Sequence, residues 1–130
     1  MADETVDRPW GNYTSLDKGH CYPGQCWQVK RIVVKPKQRL SLQYHHHRSE
    51  IWIFLEGEGI VQVSENHKKV KEDDFKKVKA GDTAFIPLES THRLTNTSDK
   101  DDLVMIEVQV GDNVKEDDIV RLTDDYGRVE

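Results

Sequence analysis

Polar and apolar residues alternate in steps of two along much of this chain. From Arg39 to His45, the residues Arg39, Ser41, Gln43 and His45 share one face while Leu40, Leu42 and Tyr44 share the other, the period of a β-strand. Glu50 to Leu55 repeats the pattern with β-branched and aromatic residues: Glu50, Trp52 and Phe54 face one way, Ile51, Ile53 and Leu55 the other. Glu56-Gly57-Glu58-Gly59 then ends the run. Similar runs cover Trp10 to Leu16, Cys26 to Lys35, Gly59 to Ser64, Thr83 to Ile86, His92 to Asn96, Leu103 to Val110 and Ile119 to Leu122. Short strands at this spacing, separated by turn signals, predict an all-β sandwich or barrel. Only Asn66 to Lys79 departs from it. Around Val70, Phe75 and Val78 the charges of Lys68 to Lys79 alternate in sign, as in an exposed hairpin arm rather than a binding site.

Composition narrows the class. The chain has 130 residues, enough for one domain and one core. A mean hydropathy of -0.77 and 33% charged residues describe a soluble protein, and no apolar run approaches the roughly 20 residues of a membrane helix. The acidic start Met-Ala-Asp-Glu lacks the apolar stretch of a secretory signal, so the expected home is the cytoplasm. A net charge of -5 and a pI near 5.7 argue against nucleic acid, which is bound by basic surfaces. In such a compartment Cys21 and Cys26 are expected as two free thiols in a turn. No serine or cysteine stands in a nucleophile motif, and no glycine-rich segment suits a nucleotide.

The chemistry concentrates where two strands meet. If Arg39–His45 and Glu50–Leu55 run antiparallel, Gln43 and His45 oppose Glu50, and an imidazole, an amide oxygen and a carboxylate can converge on a divalent cation once a further ligand arrives. His92, opening a later strand after a proline turn, is the candidate. Alternation sends His45 and His46 to opposite faces and leaves His47 in the turn. Arg39 shares the parity of Gln43 and is either a phosphate-binding group or a surface residue. Glu107 and Gln109 alternate with Ile106, Val108 and Val110. Either they look into the barrel, making Glu107 a candidate acid or base, or they look to solvent. Lys30 and Arg31 have no decisive parity, and Asp124 to Arg128 reads as a solvated tail covering part of the barrel.

These residues resemble the cupin superfamily. Its second motif, G-x5-P-x-G-x2-H-x3-N, is matched by Gly81, Pro87, His92 and Asn96, with Glu89 in place of a glycine. The first, G-x5-H-x-H-x4-E-x6-G, aligns with Lys37 for glycine, Gln43 for the first histidine, His45, Glu50 and Gly57. Finer likeness comes from Arg8-Pro9-Trp10-Gly11, His45-His46-His47-Arg48 with Glu50 and Trp52, Ile106 to Gly111, Asp117 to Arg121 and Asp124 to Arg128. They resemble the type II phosphomannose isomerase family, whose cupin is often the C-terminal half of a protein with a mannose-1-phosphate guanylyltransferase in front, and also occurs alone. Ile51, where that family usually carries histidine, and a longer charged segment before Gly81 are departures.

The resemblance implies a single cupin domain over residues 1–130, a double-stranded β-helix of the jelly-roll type. It implies a divalent metal ion (Zn, Mn, Co, Ni or Fe) held by Gln43, His45, Glu50 and His92, and isomerisation of mannose 6-phosphate to fructose 6-phosphate. Glu107 or His47 would then move the proton while Arg39 held the phosphate. A cupin oxygenase and a non-catalytic sugar-binding module are the alternatives. Cupins commonly pair their sheets, so the apolar face of Ile51, Ile53 and Leu55 is expected to lie in a homodimer.

Overall fold

The computed structural model describes residues 4–19, 25–64 and 74–128. Eleven strands are present among them: β1 (Glu4–Arg8), β2 (Gly11–Gly19), β3 (Cys26–Val34), β4 (Leu42–Tyr44), β5 (Arg48–Glu56), β6 (Glu58–Ser64), β7 (Phe75–Lys79), β8 (Thr83–Ile86), β9 (Thr91–Asn96), β10 (Leu103–Gly111) and β11 (Val120–Thr123). They form two antiparallel sheets, one in the order β1-β2-β3-β10-β5-β8 and the other β11-β4-β9-β6-β7. Trp52, Phe54 and Met105 from the first sheet meet Val61, Val78 and Leu94 from the second in one core between them. That is the all-β jelly-roll architecture of a cupin. No helix among the described residues is long and apolar enough to cross a membrane.

Register divides the interior lengthwise. Antiparallel pairing places Leu103 beside Val34, Met105 beside Ile32 and Phe54, then Glu107 beside Lys30 and Trp52, then Gln109 beside Gln28 and Glu50. One end of the barrel is therefore filled with apolar side chains and the other is lined by polar ones. Trp52 and Phe54, each 1% exposed, close the boundary. Truncating either to alanine removes about 3–5 kcal/mol of packing. The same rows settle the parities that alternation had left open: Glu107, Gln109 and Lys30 point inward, because Leu103, Met105 and Ile32 on the same strands do.

Three readings change. The strand expected over Arg39–His45 shrinks to β4, because Arg93 Nε donates to the Leu40 carbonyl at 2.9 Å and takes the place of a ladder partner. Leu40 and Ser41 are then buried consecutively, and Arg39 is turned outward, where its guanidinium forks onto the Asp125 carboxylate at 2.7 and 2.8 Å. Cys26 is disulfide-bonded, so the expectation of free thiols, which rested on compartment rather than local geometry, is corrected. Cys21 lies outside the described residues. Of the charged arm, β7 pairs with β6 at the sheet edge, whereas residues 65–73 fall outside the described part.

Candidate metal centre

His45, at the end of β4, Glu50 on β5 and His92 on β9 come together at the polar end of the barrel. All three are buried, and one ligand atom of each lies within 4.8 Å of the others. His45 Nε2 stands 3.3 Å from Glu50 Oε2, and the two imidazole rings are 5.1 Å apart. Gln43 lies directly across the ladder from His92 and lines the same cavity. All four residues of the expected ligand frame thus share one cavity.

Backbone carbonyls aim both imidazoles. The Nδ1 of His45 bonds the Asp118 carbonyl at 2.5 Å, and the Nδ1 of His92 bonds the Ser90 carbonyl at 2.9 Å. A carbonyl only accepts, so each ring carries its proton on Nδ1 and presents the Nε2 lone pair, the arrangement that outer-shell partners impose on metal-binding histidines. Burial pushes His45 down to about 4 and lowers His92 as well, against the opposing pull of Glu50. Both are neutral near pH 7. Burial would raise the Glu50 carboxyl, but His45, Arg48 and His92 outweigh it and hold the group well below the usual carboxylate range. Trp52 Nε1 donates to its Oε1 at 3.0 Å and Arg48 Nε to its Oε2 at 3.1 Å. Two neutral imidazoles, a carboxylate and a nearby amide suit a borderline divalent cation, so the residues present fit the group.

A second carboxyl flanks the first. Burial, and after it the charge of Glu50, push Glu107 well above the ordinary carboxylate range, with Lys30 opposing. Gln109 Nε2 holds Glu107 Oε1 at 2.5 Å, while Gln109 Oε1 is buried without a partner. The neighbouring carboxyls are therefore pushed in opposite directions, Glu50 towards the ionised form and Glu107 towards the protonated one.

Two expected residues stand elsewhere. His47 is half exposed on the outer side of the turn, its Nδ1 3.1 Å from Asp112 Oδ1. Arg39 is exposed against Asp125 and does not line the cavity. The cations that do line it are Arg8, Lys30, Arg48, Arg121 and Arg128. Sequence reasoning gave Arg48 no role, although it has the parity of Glu50. Arg121 and Arg128 lay inside family-like words without being given a role.

Comparison with known proteins accords with this geometry. The fold defines a cupin, and its His/Glu cluster is one that could hold a metal ion. Residues 1–124 match the family described as mannose-6-phosphate isomerase C-terminal, and the chain belongs to it. It is 44% identical to a mannose-1-phosphate guanylyltransferase of Escherichia coli over 95% of its own length, and 45% identical to the alginate biosynthesis protein AlgA of Pseudomonas aeruginosa over the same share. It spans 23% of the length of each of those relatives. Among solved structures it is similar to an oxalate decarboxylase of Lactobacillus farciminis (TM-score 0.72, 20% identity, 92% of this chain and 33% of that one). It is also similar to the capsular polysaccharide assembling protein CapF of Staphylococcus aureus (TM-score 0.71, 20% identity, 93% and 34%). At such identity these two show the fold alone.

Proposed function

We propose that this cupin is a metal-dependent aldose–ketose isomerase interconverting mannose 6-phosphate and fructose 6-phosphate. The observation that carries the reading is geometric: His45, Glu50, His92 and Gln43 converge in one cavity with Glu107 lining it beside them, and arginines fringe it. Membership of the mannose-6-phosphate isomerase C-terminal family supports the choice of sugar. A divalent ion held by His45, Glu50, His92 and Gln43 would supply Lewis-acid stabilisation of charge developing on the sugar's C1 and C2 oxygens.

The chain's own residues do the rest. Arg121 and Arg128, which line the cavity where Arg39 does not, are the cations for the phosphate and fix the reacting carbons, Arg128 through Nη1 because Asp124 takes its Nε and Nη2. The unpartnered Gln109 Oε1 accepts a sugar hydroxyl, ending its isolation. Protonated Glu107 gives its proton to the C1 carbonyl oxygen of the open-chain aldose, and the carboxylate so formed removes the proton from C2. The C–H electron pair becomes the C1–C2 double bond of an enediol. Glu107, protonated again, delivers to C1 and takes the O2 proton as the ketone forms. Protons balance over the cycle, and the group starts and ends protonated.

Metal-reconstituted protein incubated with mannose 6-phosphate in deuterated water tests this. Fructose 6-phosphate carrying some deuterium at C1 is the expected product. Glu107→Gln should lower turnover by about 10²- to 10⁴-fold at full metal content, while Arg128→Ala should raise KM more than it lowers kcat. Fully metallated protein that never forms the ketose, and instead consumes oxygen with some substrate, would transfer the case to an oxygenase.

A further inference from the structure

The expected ligands come from strands on either side of a bend. His45 precedes it, Glu50 follows it, and His46 and His47 form it. Amides at such a bend have lost their ladder partners and need acceptors. Here both go to one side chain: His46 N donates to Asp118 Oδ1 and His47 N to Asp118 Oδ2, each at 3.0 Å. The carbonyl of the same Asp118 takes the His45 Nδ1 proton. Asp118 is buried, 6% exposed, yet does not line the cavity, so it acts only through the groups it holds. Its loop, residues 112–119, adds two further ties: the Asp112 amide donates to the His47 carbonyl at 3.0 Å, and Arg48 Nη1 donates to the Lys115 carbonyl at 3.0 Å.

We infer that Asp118 is the positioning residue of the metal centre, clasping the His46-His47 bend with its carboxylate and setting the tautomer and aim of His45 with its carbonyl. The inference rests on the reading of His45, Glu50 and His92 as metal ligands. Its physical content is preorganisation: with the bend loose, His45 and Glu50 must be brought into register by the ion itself, and affinity falls accordingly. Coupling of this kind is reciprocal. Whatever factor the clasp contributes to metal affinity, the metal returns to the stability of the clasp.

The reciprocity supplies the test. Cobalt(II), followed by its visible ligand-field bands, is titrated into wild type, Asp118→Ala, Asp118→Asn and Asp112→Ala. Asp118→Ala should weaken binding by about 10- to 100-fold and alter the bands. Asp118→Asn, keeping one accepting oxygen, should fall between. Asp112→Ala, losing only a partner of the outward His47 ring, should bind as wild type does. In wild-type protein, zinc should slow hydrogen exchange at the His46 and His47 amides by a factor comparable to the Asp118→Ala affinity loss. Wild-type affinity and bands in a folded Asp118→Ala would overturn the inference and leave the metal reading intact. If that variant fails to fold, unchanged exchange of the two amides on zinc binding to wild type overturns it equally. A wild-type protein that binds no stoichiometric cobalt overturns both readings.

Discussion

Lys37 and Glu89 hold φ values of 61° and 66°, in the left-handed region that side chains with a Cβ adopt at a cost of roughly 1–2 kcal/mol. They occupy the two places where this chain departs from the glycines of the cupin motifs. Gly57 and Gly81, where the motif is kept, have φ of 85° and 93°. All four motif glycine positions are thus positive-φ positions, which explains the glycines and identifies Lys37 and Glu89 as strained turns. Lys37→Gly should stabilise the protein by up to about 1 kcal/mol, strain relief being partly offset by glycine's larger unfolded-state entropy. Chemical denaturation reads this directly, and a loss of stability would refute it. Glu89→Gly is the poorer probe because it also removes the partner of His46 Nδ1 at 3.1 Å. The clustering of Gln43, His45, Glu50 and His92 in one cavity was legible at this scale from motif spacing, and alternation separates His45 from His46. His92→Ala and Glu50→Ala should therefore abolish stoichiometric metal binding while His46→Ala retains it. Elemental analysis of the purified variants decides, and full metal in both of the first two would dismiss the centre.

At the scale of elements, regular strands were read well and irregular ones poorly. β5 keeps its period without interruption, so Glu50, Trp52 and Phe54 face inward as alternation requires. The stretch before β4 does not, because a guanidinium from another strand takes the Leu40 carbonyl, and no local pattern announces a partner 53 residues away. Arg39 was misplaced for that reason. Loop 112–119 was equally opaque: its ties run to carbonyls, amides and one buried carboxylate, none of which has a hydropathy signature. The C-terminal segment was half legible. It covers the barrel as expected, with Tyr126 packed on the core, Arg128 at the cavity and Asp125 tied to Arg39, and its own turn is closed by a specific pair: Arg128 Nε and Nη2 donate to Asp124 at 2.8 and 3.0 Å. Those bonds hold the Asp124 carboxyl below its ordinary 3.8. A carboxyl depressed by folding contributes stability that is present above its unfolded value and disappears as pH falls through the lower folded value. The turn of the segment should accordingly stay closed at pH 5 and loosen only below about pH 4. In Arg128→Ala the Asp124 midpoint, followed by carboxyl NMR, should rise towards the ordinary value. An unmoved midpoint would show that the pair does not close the turn.

At the scale of the whole molecule, part of the outer face of the six-stranded sheet is apolar and exposed among the described residues. Ile51 and Phe85, directly paired on β5 and β8, are 43% and 59% exposed, and Ile53 and Leu55 continue the patch at 38% and 45%. Ile106, Val108 and Val110 extend it across β10, half-buried on the same side. Within the stripe on β5, β8 and β10 these outward positions are uncharged, although a third of the chain is charged (33%), and Arg31, paired with Ile106, borders it. A surface of this kind on a protein of net charge -5 is suited to a second copy of itself: an isologous contact sets the uncharged stripe against itself and keeps the repelling carboxylates at the rim. Glu50, of the candidate metal centre, points from the opposite face of β5, so pairing would stiffen β5 behind it without blocking the cavity. We expect a homodimer in sedimentation at micromolar concentration. Phe85→Asp or Ile51→Glu, each placing a charge against its own copy across the two-fold axis, should yield monomer with the metal retained. Wild-type protein that sediments only as monomer at that concentration would rule the pairing out, and a dimer undisturbed by either charge would move the interface to another face.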